Sequence, residues 1–112
     1  MNEILAHVIV APDHPSLPGH FPGRPIVPGV VLLDLVFDAI QSTTETKMRI
    51  ESIVSAKFLQ AVEPDQRVDL KITLAPENET RRMKARFIAS RDNVAVLEGS
   101  FILAPNSAGG TA

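Results

Sequence analysis

A short run rich in β-branched residues, 3 to 10, ends at Pro12 and predicts a first strand. Between residues 11 and 28 stand prolines at 12, 15, 18, 22 and 25, with glycines at 19 and 23. Each proline fixes φ and removes a donor, so no regular element is expected there. A stretch of that length without structure of its own, in so short a chain, points to function. The pattern then turns helical. Val30, Val31, Leu32, Leu33, Leu35, Val36, Phe37, Ala39 and Ile40 cover every face, which predicts a helix buried all round. Pro28 suits its first turn, and the polar run "QSTTET" releases it.

From Lys47 the period changes to two. Met48, Ile50, Ser52, Val54, Ala56 and Phe58 are expected on one face of a strand. Val68, Leu70, Ile72 and Leu74 alternate with Arg67, Asp69, Lys71 and Thr73; Met83, Ala85, Phe87 and Ala89 alternate with Arg82, Lys84, Arg86 and Ile88. Residues 94 to 103 give the last strand. The connectors "EPDQ", "APENET" and "SRDN" are short and turn-rich, so antiparallel neighbours are expected across each. The class is α+β: one strand, a long loop, one helix and four more strands. A sheet needs cover for its apolar face, and only this helix can supply it. One helix cannot cover both faces or both edges, so the packing predicts a dimer. The domain is expected to span 1–104, with "PNSAGGTA", residues 105–112, as a disordered tail.

A chain of 112 residues fits one domain and can bury roughly two thirds of its unfolded surface. The absence of cysteine excludes disulfides, zinc thiolates and cysteine nucleophiles. The net charge of −2 argues against a general nucleic-acid binder. "MNEILAHVIV" has no positive leader and is interrupted by His7, so no signal peptide is expected. The longest apolar run is broken by Asp34 and is too short for a bilayer. A cytoplasmic protein is the expectation.

Three features carry chemistry. His20 lies in the proline-rich stretch just before the helix, and histidine suits proton transfer near neutral pH. Pro28 and Gly29 open the helix, where the first N–H groups lack internal acceptors and sit at its positive end. Gly29 has no side chain to block a ligand, so its N–H suits an oxygen that gains charge. Asp34 is the lone carboxylate in "GVVLLDLVF". A carboxylate buried without a partner favours its protonated form and can hold or deliver a proton. His14 suits either a second site position or a loop-structuring role, and His7 a structural one. Asp13, His14 and His20 have the composition of a metal site without its tight spacing, so a metal site carries little weight.

The stretch "GHFPGRPIVPGVVLLD", residues 19 to 34, resembles the signature of the β-hydroxyacyl-acyl-carrier-protein dehydratases, which have the hot-dog fold. That signature is a Gly-His-Phe loop, a Pro-Gly helix start and an acid fourteen positions after the histidine. Members of the 3-hydroxyacyl type carry Glu there, and the 3-hydroxydecanoyl type carries Asp, as here. "SAKFLQAVEPDQ" also looks like the family's strand and turn, and "DHPSLPGHFPG" looks closest to small dehydratases of the aryl-polyene type. The resemblance covers most of residues 3 to 104. It implies a long central helix wrapped by about five antiparallel strands, and a substrate held on the phosphopantetheine of acyl carrier protein. It also implies His20 as the base that takes the C2 proton of a 3-hydroxyacyl thioester. Gly29 N–H would hold the thioester oxygen, and Asp34 would orient and help protonate the departing hydroxyl. In the family the histidine and the acid come from different subunits, in a homodimer, a higher oligomer or a pair of unlike hot-dog chains.

One residue departs from the pattern. The family usually has Gln four positions after the acid; this chain has Asp38. Either Asp38 faces solvent or one carboxylate of the pair is protonated. The basic run "RRMKAR" places Arg82, Lys84 and Arg86 on one strand face. That face is either simply solvated or, with Arg24, a docking patch for an acidic carrier protein. A thioesterase and a catalytically weak acyl-binding partner subunit are the alternative functions, since one fold hosts several chemistries.

Overall fold

The computed structural model describes residues 2–12, 26–78 and 80–106. Six elements follow one another: β1 (Asn2–Ile9), α1 (Gly29–Thr43), β2 (Met48–Phe58), β3 (Arg67–Pro76), β4 (Met83–Arg91) and β5 (Val94–Pro105). The strands form one antiparallel sheet in the order β1-β3-β4-β5-β2. One face of that sheet carries the core. Val68, Leu70, Ile72 and Leu74 are buried on β3, and Ala85, Phe87 and Ala89 on β4, as their alternation predicts. Phe87 and Phe101 pack with ring centroids 4.7 Å apart and planes tilted by 42°, a geometry that suits aromatic quadrupoles. Gly99, opposite Phe87 across β4 and β5, makes room for this pair. A Cβ there would lie 2.8 Å from Phe87 Cζ.

The turns set the antiparallel pairing where the chain reverses directly. Asp92 and Asn93 both have positive φ, 52° and 66°, between the paired residues Arg91 and Val94. That is the two-residue turn whose twist matches the strands it joins, and Asn and Asp tolerate it. The connector after β2 behaves differently. β2 and β3 are not neighbours: β2 lies at one edge beside β5, and β3 pairs with β1 at the other side. Residues 59–66 therefore cross the sheet, and the expectation of antiparallel neighbours fails at "EPDQ".

The helix corrects a second expectation. It is buried along one stripe only, Leu32, Val36 and Ile40. Leu33, Leu35, Phe37 and Ala39 are partly covered, and Val30 is 64% exposed. One sheet covers one side of one helix, so all-round apolarity leaves apolar residues facing outward in the single chain. No helix among the described residues is long and apolar enough to cross a membrane.

Strand β2 corrects a third. Its pairing with β5 shifts between Ile50 and Ser52 and again between Ile53 and Ser55. Directly opposite residues share a face, so Ile50, Ile53, Ala56 and Phe58 follow Leu103, Phe101, Gly99 and Leu97 onto the core side. Ser52 and Val54 do not, because each shift inserts one residue. Residues 51–58 are exposed, and the outer edge of β2 has no strand beside it among the described residues. At the other end of the domain, Pro105 still pairs with Met48, and Asn106 N–H bonds Lys47 O at 2.9 Å. The ordered chain therefore runs past the expected boundary at 104; residues 107–112 of the expected tail lie outside the described residues.

Phe101 is fully buried against Phe87. Phe101→Ala should cost about 3–5 kcal/mol, the usual range for emptying an aromatic site in a core. Urea unfolding measures it.

Candidate active site

The helix start is built from three contacts. Pro28 takes an extended conformation, φ −60° and ψ 144°, and caps the helix without a side-chain hydrogen bond. Its carbonyl accepts from Val31 N–H at 3.0 Å and Leu32 N–H at 3.4 Å. The N–H groups of Gly29 and Val30 therefore lie ahead of the first closed turn, at the positive end of the helix. Upstream, Val27 N–H donates to Val62 O at 2.8 Å, which ties the approach to the helix onto the crossing segment 59–66.

Gly29 has a reason to be glycine that its place in the sequence did not show. A Cβ there would stand 2.6 Å from both Cε1 and Cζ of Phe58. The space over its Cα belongs to the ring, so Phe58 walls one side of the helix start. Phe58 is 50% exposed despite this contact. Together they line a cleft of about 400 Å³ with Val27, Leu32, Leu59 and Val62. Periodicity gave Phe58 only a strand face; its role depends on the crossing segment folding back to the helix.

Asp34 lies five residues into the helix from Gly29, about 7.5 Å along its axis. It is exposed, on one stripe with Val30 and Asp38. The expected burial of Asp34 is thus not found within one chain. The cause is the one-sided cover already described: positions 30, 34 and 38 repeat every four residues, opposite Leu32, Val36 and Ile40. Asp38 also faces solvent, the first of the two arrangements expected for it. Neither carboxylate meets a hydrogen-bonding or charged partner among the described residues. Gly29 and Asp34 are thus presented by one helix, whereas His20, with Asp13, His14 and Arg24, lies outside the described residues.

The outer face of the sheet, away from the core, carries a groove of about 730 Å³ bordered by Lys57, Lys71, Lys84 and Arg86. Glu98 and Ile88 also line it. Lys71 lies 3.6 Å from Glu3. Arg82, expected on the same face, is engaged elsewhere: it grips Glu51 through two hydrogen bonds, with Nη2–Oε2 at 3.0 Å. Those bonds hold the Glu51 carboxyl below its ordinary value and keep Arg82 out of the groove.

Residues 1–100 match the ApeI-like family, described as ApeI dehydratase. A 3-hydroxyacyl-[acyl-carrier-protein] dehydratase FabZ from Sorangium cellulosum is 32% identical over 112 aligned residues, covering 88% of this chain and 69% of that protein. The FabZ of Myxococcus xanthus is 26% identical over 110, covering 90% and 71%. Other FabZ relatives align over shorter spans, such as 48% of the Verminephrobacter eiseniae protein. Among solved structures, the dehydratase heterocomplex ApeI:P from Xenorhabdus doucetiae superposes with a TM-score of 0.73 at 24% identity, covering 91% of this chain and 87% of that one. The (R)-hydratase from A. caviae gives 0.73 at 13%, covering 93% and 94%. The fluoroacetyl-CoA thioesterase FlK gives 0.76 at 15%, covering 92% and 90%. All three likenesses concern the fold alone.

The Phe58 contact gives a test of its own. Gly29→Ala should push the Phe58 ring aside, and because that ring is half exposed the destabilisation should stay below about 1 kcal/mol, the low end of overpacking costs. In a Phe58→Ala background most of that cost should disappear. Unfolding of both single variants and the double variant checks this, and additive losses would remove the ring as the reason for the glycine.

With a five-stranded sheet carrying one helix, an open helix start and a family match spanning nearly all of it, the chain belongs to the ApeI-like dehydratases of the hot-dog fold.

Proposed function

We propose that this chain acts as a dimer. It removes water from a (3R)-3-hydroxyacyl thioester on acyl carrier protein and gives the trans-2-enoyl thioester. The setting is fatty-acid-like or polyene biosynthesis in the cytoplasm. The observation that carries the reading is the family match over residues 1–100, which spans His20, Gly29 and Asp34 together. His20 takes the C2 proton, and the electron pair moves toward the thioester carbonyl. Gly29 N–H stabilises the charge on its oxygen, where a preorganised donor has most effect. The pair then returns to form the C2–C3 double bond as the C3–O bond breaks. Asp34 gives its proton to the leaving hydroxyl, which departs as water. A proton passed from His20 to Asp34 resets the site. No step needs a metal or cofactor.

The exposed position of Asp34 supports completion of the site by a second chain. So do the uncovered apolar residues Val30, Ile53 and Phe58 and the edge of β2, which no strand among the described residues pairs. An open strand edge beside exposed apolar groups favours pairing with another chain. The partner is a second copy or a related hot-dog subunit.

Mass-resolved turnover of 3-hydroxyacyl carrier-protein substrates separates the readings. Enoyl thioester is expected; free acid with free thiol would mean a thioesterase, and activity only beside a second hot-dog chain a partner subunit. His20→Ala and Asp34→Asn should each lose at least about a hundredfold, the scale of a general acid or base. Mixing the two inactive variants should restore activity, because each mixed dimer holds one wholly wild-type site. Failure to restore it would place both residues in a single chain's site.

The cations bordering the outer groove support an acidic carrier as the substrate's bearer. Replacing Lys84 and Arg86 together by Glu should raise KM for the carrier-borne substrate about tenfold at low salt. The same acyl group on a short pantetheine thiol should respond little. Equal effects on both substrates would separate the groove from carrier recognition.

A further inference from the structure

Residues 59–66 do more than connect β2 to β3. As they cross the sheet they take hold of the chain on both sides of the stretch 13–25. Asp65 N–H donates to Val10 O at 2.8 Å, and Val62 O accepts from Val27 N–H at 2.8 Å. Two residues beyond Val27, Gly29 opens the helix under the ring of Phe58, the last residue of β2. One short segment thus holds three positions at once: Val10, Val27 and, through Phe58 at its head, the helix start at Gly29.

The side chain that ties the most of this segment together comes from the far end of β4. Arg91 Nη1 donates to Ala61 O and, at 3.2 Å, to Gln66 Oε1; its Nη2 donates to Gln60 Oε1 at 3.2 Å. Gln66 Oε1 accepts in turn from Glu63 N–H at 2.9 Å. Val62 is buried between these contacts, and Leu59 N–H bonds Val96 O at 2.8 Å on β5. The guanidinium is a planar fork with several donors in fixed directions. Lysine would keep the charge and lose that geometry. The sheet supplies the rigid base, since Arg91 precedes the tight Asp92–Asn93 turn.

We infer that Arg91 is a positioning residue for the candidate active site, acting through residues 60–66 on Val10, Val27 and the helix start at Gly29. It touches no reacting atom. The inference rests on the dehydratase reading, because that reading gives Gly29 N–H a part in the reaction. Small displacements of a reacting group are costly, a misplacement of about 1 Å reaching a hundredfold in rate. Loss of the fork therefore falls on kcat, while KM for the carrier-borne substrate, set elsewhere on the surface, stays close to that of the unaltered protein.

The test uses the full chain, with Arg91→Lys and Arg91→Ala. In both, kcat should fall about tenfold to a hundredfold with KM changed less than about twofold. Added methylguanidinium should restore part of the kcat of Arg91→Ala and none of Arg91→Lys, whose ammonium fills the place. Amide hydrogen exchange gives a second readout independent of turnover. The N–H groups of Val27 and Asp65 should exchange faster in both variants, with Ile72 in the core strand unchanged. Wild-type kcat in Arg91→Ala would overturn the inference, as would loss of kcat without faster exchange at Val27 and Asp65. Uniformly faster exchange, Ile72 included, would reduce Arg91 to a general stabiliser and overturn it too. If the unaltered protein dehydrates no substrate, the dehydratase reading falls, and the exchange pattern alone decides whether Arg91 holds the segment.

Discussion

Helix α1 has more apolar surface than one sheet can cover. Leu32, Val36 and Ile40 seat it on the core face, and the remaining apolar positions have to turn elsewhere. Full burial of one aliphatic side chain is worth about 1.5–3 kcal/mol. A helix that exposes Val30 and half-covers Leu33 and Phe37 is therefore incomplete by several such contributions. The sheet repeats the shortfall, because Ile53 on its core side is left exposed and Phe58, although it meets Gly29, is half exposed. That uncovered surface among the described residues is what the proposed pairing with a second chain would bury.

The same one-sidedness arranges the candidate site. The stripe that cannot reach the sheet is the stripe that holds Asp34. An acid placed there is presented to whatever covers the helix, in line with a site shared between chains. Asp38 follows one turn later on that stripe. Exposed carboxylates four residues apart repel by only a few tenths of a kcal/mol, so the departure from Gln costs the isolated fold little.

The legible part of this chain was the part governed by strict alternation. On β3 and β4 the two faces separate, Ile88 alone being apolar on the outer one, and the buried set matches the predicted one residue for residue from Val68 to Leu74 and from Ala85 to Ala89. The signature from Gly19 to Asp34 carried family and fold. Three things were hidden, each for its own reason. The cover over α1 depends on how many layers surround it, which one helix's composition does not state. The crossing at residues 59–66 looked like any short turn, since turn residues report a change of direction and not where the next strand goes. Phe58 and Arg91 matter through contacts to segments about thirty residues away, and no local pattern encodes those.

Strand β2 carries two single-residue irregularities, at Glu51 and Val54, and their effects on orientation cancel. Side-chain orientation along a strand is a parity: each inserted residue reverses it, and a second restores it. Met48 and Phe58 therefore stand on the side that simple alternation gives them, while Ser52 and Val54 between them do not. The ring over Gly29 is in this sense phase-locked to the far end of its own strand. Straightening either irregularity alone, with no residue removed, would turn Ala56 and Phe58 to the outer face and swing the aromatic wall out of the cleft. The geometry of the helix start thus depends on a count being even, a property that belongs to the strand as a whole and to none of its side chains.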